Sequence, residues 1–551
     1  MARARRLSGL LPTALAVASY LFGLDSPHIP KNGDEYAYEH ITRLTAASGG
    51  LLPLRSDIPA LRNTKPPLVF WQGIASTDGG RAWTLARLRW PSVLYTLATA
   101  GLAFAVALRI SGRAETGWTA LLCYLAFYST YRYGRPFLTD APETFWLFLP
   151  FAVLLLRPAA ARSRLLVPSL AGVAIGLALL YKSFALALPA GLALGWWSLR
   201  QSGGSVGAFL AKDAGKLTLT LAIALAMFTS WFLLDPDPAG VWRDFVLREN
   251  AGKFDLPGGY LPRLLWGASS LWSLAAAYPA NAGLLAFPVL ALFVSAWRRR
   301  AELGEAEKRL WALAAVFLLV FSFPSQRSGR YLLPVMPALA VLLALAWERI
   351  GRWVFLLGLG ATAAVLAGIG ALSLTLRRSV PALPPPPLPL WAVLALGAAV
   401  VTAGFVSSAL TRRLALAALF LAYLAFALAL RPFDGLAGQY DAGAQASVRG
   451  QEVAVPYDFV AKEERYRFLL PGAEVVGYRE GPDASAAELL RRCRFAVVQA
   501  PVQAGDCDGC VILGRRLDLR GRQTAAELHE ILHGRLSPAL VVEERLVGRG
   551  R

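Results

Sequence analysis

The sequence predicts a polytopic α-helical membrane protein with about 13 transmembrane helices and a small C-terminal extracytoplasmic α/β domain. Three observations predict it. Of 551 residues, 56% are hydrophobic, and the mean hydropathy is +0.47, above the usual content of a soluble chain. Apolar runs of roughly 17–25 residues recur through the first 430 positions, the length that crosses a hydrocarbon core about 30 Å thick. Arg and Lys gather in short loops between alternate runs, as the positive-inside rule requires. A transmembrane barrel would show short alternating segments instead.

The predicted spans are 7–24, 88–108, 116–131, 143–157, 164–181, 183–199, 216–234, 268–297, 309–324, 331–348, 353–376, 388–409 and 413–430. The basic start Arg3, Arg5, Arg6 lacks a clear small-residue cleavage site after its apolar run, so it reads as an uncleaved first helix with a cytoplasmic N-terminus. The inside loops are then 109–113, 157–164, 200–216, 298–309, 349–352 and 412–413, each short and basic. The net charge of +20 is spread over such loops, which argues against a nucleic-acid partner. An odd span count leaves the tail outside. The setting expected is a bacterial inner (plasma) membrane, with the C-terminal domain periplasmic.

Two outer loops are long, 25–87 and 235–267; loops of this length are usually lids or binding loops. The amphipathic stretch 36–44 in the first is of a kind that lies in the interface plane. The prolines 384–387 form a stiff connector. These spans and loops make a membrane domain over 1–430. From 431 apolar runs shorten to strand length at 474–478, 495–499, 511–513 and 540–543, with helical patterns at 484–492 and 524–533. This predicts an α/β domain over 431–551.

Asp34 and Glu35 follow the first span. A carboxylate beside a low-dielectric wall is suited to accept a proton from an attacking hydroxyl; an acid pair at a helix start also serves as cap and dipole partner, with Asn32 an alternative cap. Lys65 precedes Pro66 and Pro67, which hold it extended as a point charge suited to phosphate, or as a plain loop cation. Asp140 and Glu143, after Thr139, lie three apart at a helix start and share a face; capping also explains Thr139 or Asp140. Lys182, between two spans, reads as a snorkelling cation. Gln326-Arg327-Ser328-Gly329-Arg330-Tyr331 places two Arg on the disfavoured outer side, which points to an anionic ligand.

His529-Glu530-Ile531-Leu532-His533 matches a zinc-site pattern. Gly534 ends that helix and few residues follow it, so a surface helix end explains it better. Cys507 and Cys510 suit a local disulfide on an oxidising side. No signal demands a metal or other cofactor.

In order, Gly33-Asp34-Glu35-x-x-Tyr38, Lys65-Pro66-Pro67-Leu68, Thr139-Asp140, Phe245-Val246-Leu247-Arg248-Glu249-Asn250-x-x-Lys253-Phe254 and Arg330-Tyr331-Leu332-Leu333-Pro334 resemble the protein O-mannosyltransferase and aminoarabinose (lipid A) transferase group of superfamily-C glycosyltransferases. The resemblance covers nearly the whole membrane part and is most specific in the first outer loop. It implies inverting transfer of one sugar from a polyprenyl-phosphate carrier to a lipid (lipid A-like), glycan or protein acceptor at the outer face. It assigns Asp34 as the catalytic acid, with Asp140 and Glu35 near the sugar. Lys65, Lys253, Arg330, Tyr331 and Arg248 become the donor-phosphate group. The family usually has Arg where Lys253 stands, which keeps the charge and loses the fork geometry. The segment 326–330 also departs from the Lys-containing segment more frequent in aminoarabinose members. A transporter or flippase of lipid-linked sugars is the competing class; it predicts inverted repeats and mid-bilayer sites, which this sequence does not show.

Overall fold

A computed structural model describes residues 2–29, 33–58, 61–254, 259–435, 438–457, 461–479, 485–502, 505, 509–519, 525–532 and 540–549. Each of the predicted apolar runs overlaps a helix. Among the described residues, seven helices are long and apolar enough to cross a membrane: Leu85–Ser111, Ala214–Leu234, Ala277–Arg298, Gly329–Ala346, Arg352–Ser379, Leu388–Val406 and Thr411–Phe433. Others are shorter, such as Ala114–Ala126 with 13 residues and Leu166–Tyr181 with 16.

The run predicted as one span over 268–297 is broken. Short helices Leu271–Ala275 and Ala277–Ala282 precede Ala286–Arg298. Pro279 lies in the second, and Gly283 follows it at φ +61°. A Cβ on Gly283 would stand 2.5 Å from that of Tyr128, so the close approach admits only glycine. The run over 116–131 likewise divides at Phe127, whose extended backbone separates Ala114–Ala126 from Tyr128–Tyr133.

Loops assigned to one side meet each other. Lys216 Nζ donates to the Ala161 carbonyl at 2.8 Å, and Arg200 faces Glu305 at 3.4 Å. Gly329–Ala346 is the most enclosed of the long helices, with 78% of its apolar window buried.

The stretch 36–44 is helical and covered by protein. It belongs to the helix Gly33–Ala47, in which every residue from Glu35 to Thr42 is buried. The C-terminal part covers one side. Glu464 accepts from His40 Nδ1 at 2.7 Å and Arg43 Nε at 2.9 Å, and Arg467 Nε stands 3.2 Å away. Phe468 stacks on Trp83 at 6.4 Å.

The C-terminal domain holds a five-stranded mixed sheet of β1 Glu452–Tyr457, β2 Glu474–Arg479, β3 Phe495–Ala500, β4 Cys510–Leu519 and β5 Val541–Arg549, ordered β2-β1-β3-β5-β4. β1 runs parallel to β2 and β3, and β5 is antiparallel to β3 and β4. β1 escapes the sequence pattern because it contains Pro456. Pairing with β3 covers only Val453 and Ala454, so the missing N–H falls beyond that ladder. Cys510 is disulfide-bonded; Cys507 and His533 lie outside the described residues.

Candidate active site

Asp34 stands in the first turn of Gly33–Ala47, where the helix dipole favours a carboxylate. Its side chain is 47% exposed. Arg330, from the turn Gly329–Val335, donates Nη1 to Asp34. The same guanidinium turns its other edge to Asp140, with Nε at 2.9 and 3.1 Å from the two carboxylate oxygens and Nη2 at 2.6 Å. Tyr133 lies under it, 5.0 Å from ring centre to guanidinium carbon. One Arg thus joins carboxylates from the first and the second expected outer regions.

Asp140 and Glu143 share a face of Asp140–Leu156, and Lys182 answers both, at 2.9 Å and 2.6 Å. Lys182 is therefore not snorkelling. It is largely buried and salt-bridged, because it closes the helix Leu166–Tyr181 against those acids.

A second group lies close by. Lys65 Nζ stands 2.7 Å and Lys253 Nζ 3.2 Å from the same oxygen of Glu249. Lys65 also donates to the Thr64 carbonyl at 2.9 Å. Glu249 is the penultimate residue of the π-helix Trp242–Asn250, a form frequent at functional sites. Burial pushes the Glu249 carboxyl up, but the two ammonium groups hold it below its ordinary value. Lys253 is depressed, first by burial and then by the like charges of Lys65 and Lys182, against the pull of Glu249. Positive charge is locally in excess.

The two groups share one neighbourhood. The Tyr38 hydroxyl is held well above its ordinary value by burial, then by Asp34, Asp140 and Glu249, with Arg330 opposing. Backbone ties reinforce this. Ser183 Oγ donates to Asn250 Oδ1 at 2.7 Å, Gln326 N to the Lys253 carbonyl at 3.0 Å, and Ser325 Oγ to the Phe254 carbonyl at 2.7 Å. Together the groups hold four carboxylates (Asp34, Asp140, Glu143, Glu249) and four cations (Lys65, Lys182, Lys253, Arg330).

Of the residues predicted from sequence, Asp34, Asp140 and Arg330 meet in one cluster, and Lys65 and Lys253 in the other. Tyr331 packs on Phe321 with ring centres 5.1 Å apart, within electrostatic reach of Lys182, Glu249 and Arg330. Glu35 and Arg248 are not brought in. Glu35 is buried against Arg89, which gives Nε and Nη2 to its two oxygens at 2.7 Å each, and Phe137 N donates at 2.7 Å. One residue along a helix turns a side chain by about 100°, so Asp34 and its neighbour face different surroundings. Arg248 is half exposed and stands 3.5 Å from Asp244. Among the described residues no group of three or more His, Cys, Asp or Glu is placed to hold a metal ion.

An apolar cavity of about 320 Å³, lined by Trp146, Pro150, Leu194, Trp197 and Leu217 with Lys216 at its rim, shares no residue with either cluster.

Residues 35–239 match the sequence model of the family described as dolichyl-phosphate-mannose-protein mannosyltransferase. The crystal structure of ArnT from Cupriavidus metallidurans bound to undecaprenyl phosphate aligns with a TM-score of 0.59 and 18% identity over 97% of each chain. Its apo state gives 0.56 and 20% over 87% of each chain. The fold is that of ArnT. The chain resembles superfamily-C glycosyltransferases of the mannosyltransferase and ArnT type, in sequence over 35–239 and in fold over nearly its whole length. No curated protein matches it by sequence.

Two residues of the clusters, Glu249 and Lys182, and one buried beside them, Arg89, escape sequence reasoning. Glu249 lies inside a quoted motif, yet nothing local marks it as the partner of two distant lysines. Arg89 sits in an apolar run, and a cation there signals a buried counter-ion. Lys182 carried the same signal.

Proposed function

We propose that this chain transfers a single sugar from a polyprenyl-phosphate carrier to an acceptor at the outer membrane face, with inversion at the anomeric carbon. The observation that carries the reading is the pairing of Asp34 with Asp140 through Arg330, beside two lysines that converge on one anion position. The family match over 35–239 supports it. So does the fold shared with an ArnT whose structure holds undecaprenyl phosphate, and that carrier class is the one assigned here.

In this reading the bond between the sugar carbon and the phosphate oxygen breaks while the acceptor attacks from the opposite face. Charge grows on the leaving phosphate, and Lys65 and Lys253 stabilise it in a site shielded from water. Asp34, half exposed, orients the acceptor and takes its proton if it is a hydroxyl. Asp140 anchors Arg330, and Lys182 with Glu143 anchors Asp140. The 235–267 loop closes over the donor. Residues 1–430 form the transmembrane part with 13 crossings. Residues 431–551 form an extracytoplasmic domain on a bacterial inner membrane, with the N-terminus cytoplasmic. The acceptor is a lipid (lipid A-like), a glycan or a protein.

The test is transfer of labelled sugar from a polyprenyl-phosphate donor to envelope extract by protein in proteoliposomes. Asp34→Asn should fold and bind carrier yet transfer about 10²–10⁴-fold more slowly. Wild-type turnover would remove Asp34 from the chemistry. Movement of donor across the bilayer without release of free polyprenyl phosphate would establish a flippase instead.

A further inference from the structure

The Lys65 and Lys253 ammonium groups reach Glu249 from separate segments of the outer face. The carboxylate is only about a quarter exposed, and its Oε1 takes both contacts. A planar, singly charged oxyanion therefore occupies the position where two cations meet, which is where a phosphate oxygen binds best. Counting both clusters, charge is balanced, four against four. A phosphate entering that set unaided would leave it with surplus negative charge in partly buried surroundings, which is costly.

We propose that Glu249 is a built-in stand-in for the carrier phosphate, a specificity-determining residue that holds the two lysines together in the empty site and is displaced when the phosphate binds. This rests on the reading that Lys65 and Lys253 receive that phosphate. The placement of Glu249 suits such an exchange. It is the penultimate residue of a π-helix, a form frequent at functional sites. Its neighbour Asn250 is pinned to Ser183 at 2.7 Å, and Lys253 to Gln326 at 3.0 Å. Asn250 Nδ2 also donates back to the Phe245 carbonyl at 2.8 Å, so the backbone on both sides of Glu249 is held while its side chain swings. The carboxylate sets a threshold for entry: a ligand must engage both lysines at once to displace it, which the singly charged donor phosphodiester does with its two free oxygens. A lipid phosphate monoester, the product of transfer, carries more than one negative charge and does so.

The experiment measures binding of undecaprenyl phosphate to the full-length protein in nanodiscs for wild type, Lys65→Ala, Glu249→Gln and the double variant. Glu249→Gln should bind about tenfold more tightly, and most of that gain should vanish in the Lys65→Ala background, because the two side chains compete through the same ammonium. The cycle repeated with Glu249→Ala makes the outcome independent of how one replacement is accommodated. Equal gain in both backgrounds would mean a diffuse charge effect and overturn the proposal. So would unchanged or weaker binding by Glu249→Gln while Lys65→Ala weakens it; Glu249 would then be a permanent orienting partner. Unchanged binding by Lys65→Ala would instead overturn the carrier reading itself.

Discussion

Replacing Glu35 with Ala separates the two adjacent acids of the first outer helix. Arg89 is 1% exposed and Glu35 2%. In the variant the guanidinium keeps its contacts to the Leu24, Ser26 and Ile29 carbonyls, at 3.1, 2.6 and 3.5 Å. It loses the Glu35 carboxylate, and the Phe137 amide loses its acceptor. Breaking one side of a buried ion pair costs about 3–5 kcal/mol, and an unpaired buried amide about 1–3 kcal/mol more at most. Even the lower bound of about 4 kcal/mol shifts the folding equilibrium roughly a thousandfold. The assay is thermal unfolding in detergent, alongside sugar transfer by the surviving folded fraction. Glu35→Ala should unfold well below wild type. The apolar pair Glu35→Met with Arg89→Met should recover much of the loss, since hydrophobic replacement of a buried pair is often neutral or stabilising. Wild-type unfolding by Glu35→Ala together with abolished transfer would refute this reasoning and return Glu35 to the chemistry.

Two further outcomes follow from carboxylates near the same helix. Burial pushes Glu464 up, but Arg43, His40 and Arg467 hold it at about 2, below its ordinary 4.5. Its contribution is therefore complete above about pH 4.5 and lost as pH falls toward 2; amide exchange over Gly33–Ala47 should quicken across that window in wild type and not in Glu464→Gln. Glu39 is the opposite case, with both oxygens buried and unpartnered and its carboxyl held well above the ordinary value by burial, then by Glu35. The folded chain keeps a proton the unfolded chain loses, so stability falls as pH rises above about 4.5. Glu39→Gln should raise the unfolding temperature at pH 7, with the advantage shrinking below pH 4.5; no gain at pH 7 would contradict that proton assignment.

Helix positions were legible because long apolar runs are revealed by composition, and seven of these helices among the described residues are long and apolar enough to cross a bilayer. The breaks at Phe127 and Gly283 were not, since each depends on what packs beside it, Tyr128 in the second case. Strands β2 and β3 read directly from their apolar runs, whereas β1 was hidden by Pro456. Asp34, Lys65, Asp140, Lys253 and Arg330 were legible as charges on the outer side. Their partners were not, because Glu249 lies 184 residues from Lys65 and Arg330 lies 296 from Asp34. The difference between Asp34 and Glu35 is one of side-chain direction, which turns on Arg89 arriving from another helix.

Arg330 sits at the head of the helix most deeply wrapped by its neighbours. Such an element has nowhere to slide, so the guanidinium is the fixed post of the chamber. Any rearrangement there would then be carried by the loops that bear Lys65 and Lys253 moving toward that post. Variation in those loops among related chains would then retune what enters without disturbing the point to which everything is referred.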